Sequence, residues 1–356
     1  GSAAALAVVL AALALAAGAQ PPAPQPLPRS AEHARLAAHT LLIALAAAGE
    51  RLVAVGDRGV IVLSDDRGAS WTQAASVPVQ ALLTGVCFLD AQHGVAVGHD
   101  EVILTTADGG GHWQRTHYAP EAQRPLLDVW CGTGGQAIAV GAYSAYFTSA
   151  DGGASWHEVK FTPAAPAARS RERAPAPPPA AASGAADEQG AAGGYHLNRI
   201  AGGGAGRLYI AAEAGHLYAS DDSGASWRTL ASPYEGSFFG VLPLPGEALL
   251  AFGLRGHLYR SADAGASWQA IETGTVAMLT GAARFGPDAI AVVGLSGVIL
   301  VSRNGGRSFA LQQQADRSGL SGLSPAGDAR LAVVGEEGAR LIVLADPGRV
   351  AASVPR

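Results

Sequence analysis

Ser64-Asp65-Asp66-Arg67-Gly68-Ala69-Ser70-Trp71 reads Ser-x-Asp-x-Gly-x-Ser-Trp, and the pattern returns along the chain. It recurs as Thr106-x-Asp108-x-Gly110-x-His112-Trp113, Ser149-x-Asp151-x-Gly153-x-Ser155-Trp156, Ser220-x-Asp222-x-Gly224-x-Ser226-Trp227 and Ser261-x-Asp263-x-Gly265-x-Ser267-Trp268. A softened copy is Ser302-x-Asn304-x-Gly306-x-Ser308-Phe309, and a last trace is Asp346-x-Gly348. Each copy joins apolar, strand-like runs such as Val60 to Leu63. Asp accepts hydrogen bonds from nearby backbone amides, and Gly takes positive φ without a Cβ clash, so the motif reads as a tight turn. The closing Trp supplies a large apolar anchor between neighbouring sheets. A catalytic site needs one constellation, whereas these residues repeat. The Asp-x-Gly spacing also lacks the further carboxylates of a calcium loop. The boxes therefore read as structural.

The spacing sets the architecture. Trp113 follows Trp71 by 42 residues, Trp156 follows by 43, Trp268 follows Trp227 by 41, and Phe309 follows Trp268 by 41. The step from Trp156 to Trp227 is 71, and residues 163–192 account for the excess. That stretch is rich in Pro, Ala and Gly, carries Arg169, Arg171, Glu172 and Arg173, and reads as a disordered loop between the third and fourth repeats. A second turn of Gly-x-x-Gly type precedes the Trp by 15 residues, as in Gly56-Asp57-Arg58-Gly59 and Gly253-Leu254-Arg255-Gly256. It joins runs such as Leu52 to Val55 and Val60 to Leu63, and one more strand, such as Gly85 to Leu89, lies upstream. Each unit is thus four short strands. Seven units predict an all-β, seven-bladed β-propeller over 36–354. Closure of the ring falls to the C-terminal run near Val350 or to a strand from 30–40.

A four-strand meander also sorts the turns. The strand 1–2 turns and the Asp boxes lie on one face. The strand 2–3 turns, the blade-to-blade linkers and the 163–192 insertion lie on the other. The second face is the candidate for binding, because its turn residues vary while the boxes do not. Arg58, His99, Tyr143, Arg255 and Glu336 are the large side chains expected at equivalent turn positions there, and Tyr and Arg are favoured at binding hot spots.

The net charge of −5 argues against nucleic acid as a partner. Residues 1–19 carry an apolar Ala/Leu/Val run ending in Ala17-Gly18-Ala19, which reads as a cleaved signal peptide or a short membrane anchor. The Pro-rich 20–35 reads as a flexible tether. Cys87 and Cys131 fall in corresponding strands of adjacent repeats but one position apart. Alternation of side chains along a strand makes buried free thiols the expectation, with oxidation as the alternative in an exported protein. The ten histidines show no metal-ligand spacing, and His216 and His257 sit at matching positions as repetition alone would place them. Neither a metal nor a cofactor is called for.

The repeated Ser-x-Asp-x-Gly-x-Ser-Trp is the Asp-box, or BNR repeat. Near-continuous boxes at this step, together with phrases such as Val86-Cys87-Phe88-Leu89-Asp90-Ala91-Gln92-His93-Gly94-Val95-Ala96-Val97-Gly98, resemble the photosystem II stability/assembly factor family over residues 41–345. The Ala-rich composition and the insertion resemble its bacterial members outside photosynthesis. The resemblance implies a periplasmic or lumenal propeller without catalysis that binds and helps assemble a membrane protein or complex, here as a monomer.

The rival from another class is a sialidase-like glycosidase or glycan-binding propeller. Its arginine motif is missing near the N-terminus, and Tyr234-Glu235 are adjacent in sequence, which is not how a nucleophile and its base are supplied. A carboxylate pair for sugar hydrolysis would have to converge from Asp100, Glu101, Glu213, Glu336 and Glu337. Those five read as solvated turn carboxylates.

Overall fold

A computed structural model describes residues 29–165, 194–327 and 329–344. Residues 1–28, 166–193 and the C-terminal 345–356 lie outside the described residues, and with them the apolar N-terminal run, nearly all of the insertion and the Asp346-x-Gly348 trace. The described chain forms seven antiparallel sheets in chain order, residues 42–73, 83–117, 126–158, 197–229, 238–270, 279–313 and 320–343. Each is a meander whose strands pair with their sequence neighbours. The first strand of each blade packs against the first strand of the next, and that of blade 7 packs against that of blade 1, so the seven close into a propeller.

Blades 1–6 have four strands. Blade 7 has three among the described residues, Leu320–Pro325, Arg330–Gly335 and Gly338–Val343. The 30–40 segment does not supply the missing strand. Ala37–His39 forms a 3-10 turn that packs against the last strand of blade 7. The end of the predicted tether is tied to blade 1, with Ala31 N donating to Val77 O at 2.9 Å and the Gln73 amide holding Ala34 N and Glu32 O. A polar residue on the first strand also joins some blades. The Thr84 hydroxyl donates to Leu126 O (2.7 Å), the Asn198 amide to Phe238 O (2.8 Å), and the Thr280 hydroxyl to Leu320 O (2.6 Å). The Ser321 hydroxyl donates to Leu42 O at 2.6 Å, which carries the same bond across the seam between blades 7 and 1.

The core is a series of blade–blade interfaces. Second strands such as Gly94–Gly98, Ala137–Gly141 and Ile290–Gly294 are buried along their whole length. They face a neighbouring blade on both sides, which explains why they read as unbroken Val, Ala and Ile rather than as an alternation. Each box aromatic enters the interface with the preceding blade. Trp113 packs with Val53 and Leu63 of blade 1, Trp227 with Ile138 and Tyr146 of blade 3, and Phe309 with Leu250 of blade 5. Trp71 does the same across the seam, against Ala332 and Leu341.

Cys87 and Cys131 form a disulfide, with Cα atoms 5.7 Å apart, which corrects the expectation of free thiols. The alternation rule holds within one sheet, but these cysteines belong to two blades stacked face to face. Cys87 must point forward from blade 2 and Cys131 back from blade 3, so the bridge requires positions of opposite parity. Trp130, one residue before Cys131, points the other way, and its indole Nε1 lies beside Gly202 of blade 4. The offset of one is what allows the bond.

Candidate partner-binding face

On the Asp-box face the carboxylates are consumed by their own turns. Asp66 accepts the Ser64 and Ser70 hydroxyls at 2.8 and 2.6 Å and the Ser70 amide at 2.8 Å. Asp151, Asp222 and Asp263 repeat the set, and in blade 2 the His112 ring replaces the second hydroxyl at 2.7 Å from Asp108. Asn304 keeps the geometry without the charge, accepting the Ser302 hydroxyl and donating to Ser308. The Ser70, Ser155 and Ser226 hydroxyls are the main cause that holds Asp66, Asp151 and Asp222 down at about 2. For Asp108 burial is the largest influence and opposes the shift, but the bonds from His112 and Thr106 overcome it and leave the group at about 2.

Carboxyls depressed in the folded state stabilise it above their unfolded pKa, and this contribution disappears as pH falls through the folded pKa. The melting temperature is therefore expected to be level above about pH 5 and to fall between about pH 4 and pH 2. Thermal melts across that range check it, and a melting temperature unchanged down to about pH 2 would refute the linkage.

The opposite face is built from the strand 2–3 turns and the linkers. The residue at the tip is left-handed in six blades: Arg58 (φ 51°), Asp100 (61°), Tyr143 (53°), Ala214 (51°), Arg255 (56°) and Ser296 (57°). The residue after it is also left-handed, so these are hairpin turns of type I′ character. The second position is usually Gly because the linker runs directly against it. At Gly256 (φ 71°) a Cβ would lie 2.1 Å from Thr275 O.

Arg58, Tyr143 and Arg255 occupy the tip position and are exposed, Tyr143 by 51%. His99 and Glu336 are exposed too, but each stands one residue earlier in its turn, so the five are not equivalent as the sequence had suggested. The Glu336 carboxylate accepts Gly319 N at 2.8 Å, and Arg58 lies 3.7 Å from Asp57. Arg255 has no ion-pair partner among the described residues.

Two features of this face depart from the sequence reading. Glu101 takes the place of the second-position Gly and is left-handed (φ 49°) and 2% exposed, so it is not a solvated turn carboxylate. The Arg124 guanidinium donates to it at 2.6 Å, and the His117 ring lies 3.3 Å away. Arg124 also bonds Glu158 through two nitrogens, at 2.8 and 3.3 Å. The network adds side-chain ties between turn and linker to the backbone bond from Ala119 N to Asp100 O (3.0 Å). His216 and His257, in turn, are more than products of repetition. The corresponding positions in the other blades are Val60, Val102, Ala145, Val298 and Ala339. His216 lies between Tyr195 (3.9 Å between ring centres) and Tyr218 (5.9 Å), and His257 between Tyr234 (4.2 Å) and Tyr259 (5.9 Å). Tyr143 meets His196 edge-on at 4.9 Å. Blades 3–5 thus carry an aromatic and histidine surface that blades 6, 7 and 1 do not repeat.

Of the carboxylates weighed for sugar hydrolysis, Glu101 is tied up by Arg124 and His117, and Glu213 accepts His196 N at 3.1 Å. Among the described residues no cluster of three or more His, Cys, Asp and Glu is arranged to hold a metal, and no helix is long and apolar enough to cross a membrane.

The sequence matches the family profile described as Photosynthesis system II assembly factor YCF48 over residues 63–180. A search of curated protein sequences finds no significant match. Among solved structures, YCF48 bound to a D1 peptide superposes with a TM-score of 0.64 at 14% identity, covering 90% of this chain and 100% of that one. YCF48 from Cyanidioschyzon merolae gives 0.63 at 14% identity, covering 86% and 96%. The GH74 xyloglucanase from Xanthomonas campestris gives 0.65 at 15% identity, covering 88% of this chain and 54% of that one. At such identities these superpositions speak for the fold. Together with the repeats they establish the β-propeller fold, and over residues 63–180 the sequence is similar to the photosystem II assembly factor family.

Proposed function

We propose that this chain is an exported, non-catalytic propeller that binds a membrane protein and helps to assemble or stabilise it or its complex. The observation that carries the reading is the likeness, over 90% of this chain and the whole of the relative, to YCF48 with a D1 peptide bound, joined to the family profile match. Export agrees with the disulfide between Cys87 and Cys131, since such bonds persist in oxidising compartments. The binding face is the one built from the strand 2–3 turns, where Arg58, Tyr143 and Arg255 project from left-handed tips. A left-handed non-Gly residue carries a backbone cost of about 1–2 kcal/mol, and here that conformation presents large side chains to solvent.

Crosslinking the tagged protein in its native host, with mass spectrometry of the membrane fraction, tests the reading. Enrichment of one membrane protein is the expected outcome. The combined Arg58→Ala, Tyr143→Ala and Arg255→Ala variant is expected to lose that capture with its melting temperature nearly unchanged, because the three side chains are exposed. Capture unaltered by the triple change would move the binding surface elsewhere. No client in the membrane fraction would turn attention to soluble glycans and the glycoside hydrolase alternative.

A further inference from the structure

Between the strand 2–3 turn of blade 4 and the linker to blade 5 lies a cavity of about 350 Å³. Gly215 and His216 form one wall, and Ser232, Tyr234 and Glu235 form the other. The walls are fixed. At Gly215 (φ 76°) a Cβ would sit 2.2 Å from Tyr234 O, so turn and linker are in direct contact. The Ser232 hydroxyl donates to Tyr234 O at 2.7 Å. The His216 ring is held by its stack with Tyr195 and by Nδ1 at 3.0 Å from Glu213 O, and Tyr234 is held by its stack on His257. Glu235 is exposed and has neither an ion pair nor a side-chain hydrogen bond among the described residues.

We propose that this cavity binds a basic side chain, Lys or Arg, presented by an extended peptide. Tyrosine rings attract cations, and Glu235 supplies an uncompensated carboxylate at the rim. None of the residues that line the cavity is a Lys or Arg. The combination is local to this blade. The residues 41 positions further on, in the next linker, are Thr275 and Val276, without ring or charge. Val60, Val102, Ala145, Val298 and Ala339 replace the histidine elsewhere. The inference rests on the partner-binding reading given above and specifies one subsite of it.

The test uses the full chain with its histidine rings isotopically labelled, titrated with acetylated and amidated Ala-Ala-Lys-Ala-Ala. Versions with norleucine or Glu at the centre serve as comparators. The Lys peptide is expected to shift the His216 and His257 ring signals, with the apparent Kd raised roughly fivefold by Glu235→Gln. Tyr234→Leu should weaken it by a similar factor, while the norleucine and Glu peptides leave the signals in place. Equal response to norleucine would make the cavity an apolar groove and overturn the proposal. So would an unchanged Kd in Glu235→Gln, or a response to xylo-oligosaccharide where the Lys peptide gives none. If a membrane client is captured in cells while the Lys peptide leaves the rings unperturbed, this subsite is wrong and the partner-binding reading stands. If both fail, both fall.

Discussion

Replacing Cys87 and Cys131 together by serine is expected to lower the folding stability by about 4 kcal/mol, the chain-entropy value for a cross-link that closes a loop of this length. The two cysteines are 44 residues apart, and the bridge ties blade 2 to blade 3 rather than two strands of one sheet. For a domain of roughly 300 residues unfolding as one unit, this corresponds to a fall in melting temperature of about 6 °C. Treating the wild-type protein with a reductant should reproduce the serine result. In a repeat architecture each unit leans on its neighbours, so the loss should also weaken the cooperativity of denaturant unfolding around blades 2 and 3. The comparison of oxidised wild type, reduced wild type and the double serine variant by thermal and denaturant melts is decisive. If all three melt within about 1 °C of one another, the bridge does not restrain the unfolded chain and the entropic account fails.

The propeller was legible because its signals are local. The bonds made by the side chains of the box Asp and its flanking Ser residues span two to four residues, as from Ser64 to Asp66 and from Asp66 to Ser70, so one reading of turn chemistry recovers them. The 41-residue step then fixes how many units must close. The disulfide was not legible, because a rule for one sheet was applied to two stacked sheets, where the parity requirement is reversed. Glu101 was misread for a related reason. Its column otherwise holds Gly59, Gly215, Gly256, Gly297 and Gly338, with Ser144 in blade 3, and a bulky residue among glycines signals that the linker has been rebuilt around it.

The candidate site is legible in the same way, through departures from the repeat. A column of Val and Ala interrupted by His216 and His257 marks the blades where the face changes character. Repetition reports what the scaffold needs. What distinguishes one propeller from another must lie where the repeat is broken, and here those breaks gather on the strand 2–3 face at blades 2–5. Missing from the sequence was the stacking itself, since Tyr195 and Tyr234 reach the histidines from linkers whose path no periodicity describes.

Trp113→Ala is expected to cost about 3–5 kcal/mol, the range for emptying a large aromatic site in a core. Trp113 is 3% exposed, packs against Val53 and Leu63 of blade 1, and meets Phe88 edge-on at 6.3 Å. Its indole Nε1 donates to Gly110 O at 2.8 Å. Two accounts of the box tryptophan compete. In one the indole serves its own turn through that hydrogen bond, worth about 1 kcal/mol. In the other it holds two blades together by burial, which is the larger quantity. Trp71 separates them, because its indole makes the same bond to Gly68 O at 3.2 Å, yet it is only partly buried, at the seam with blade 7. If burial dominates, Trp71→Ala costs clearly less than Trp113→Ala, and Trp113→Phe, which keeps most of the apolar volume and gives up the bond, falls between wild type and Trp113→Ala. Equal losses for Trp71→Ala and Trp113→Ala in denaturant melts would show that the box acts on its own turn, and the blade interfaces would then owe their strength to the second strands.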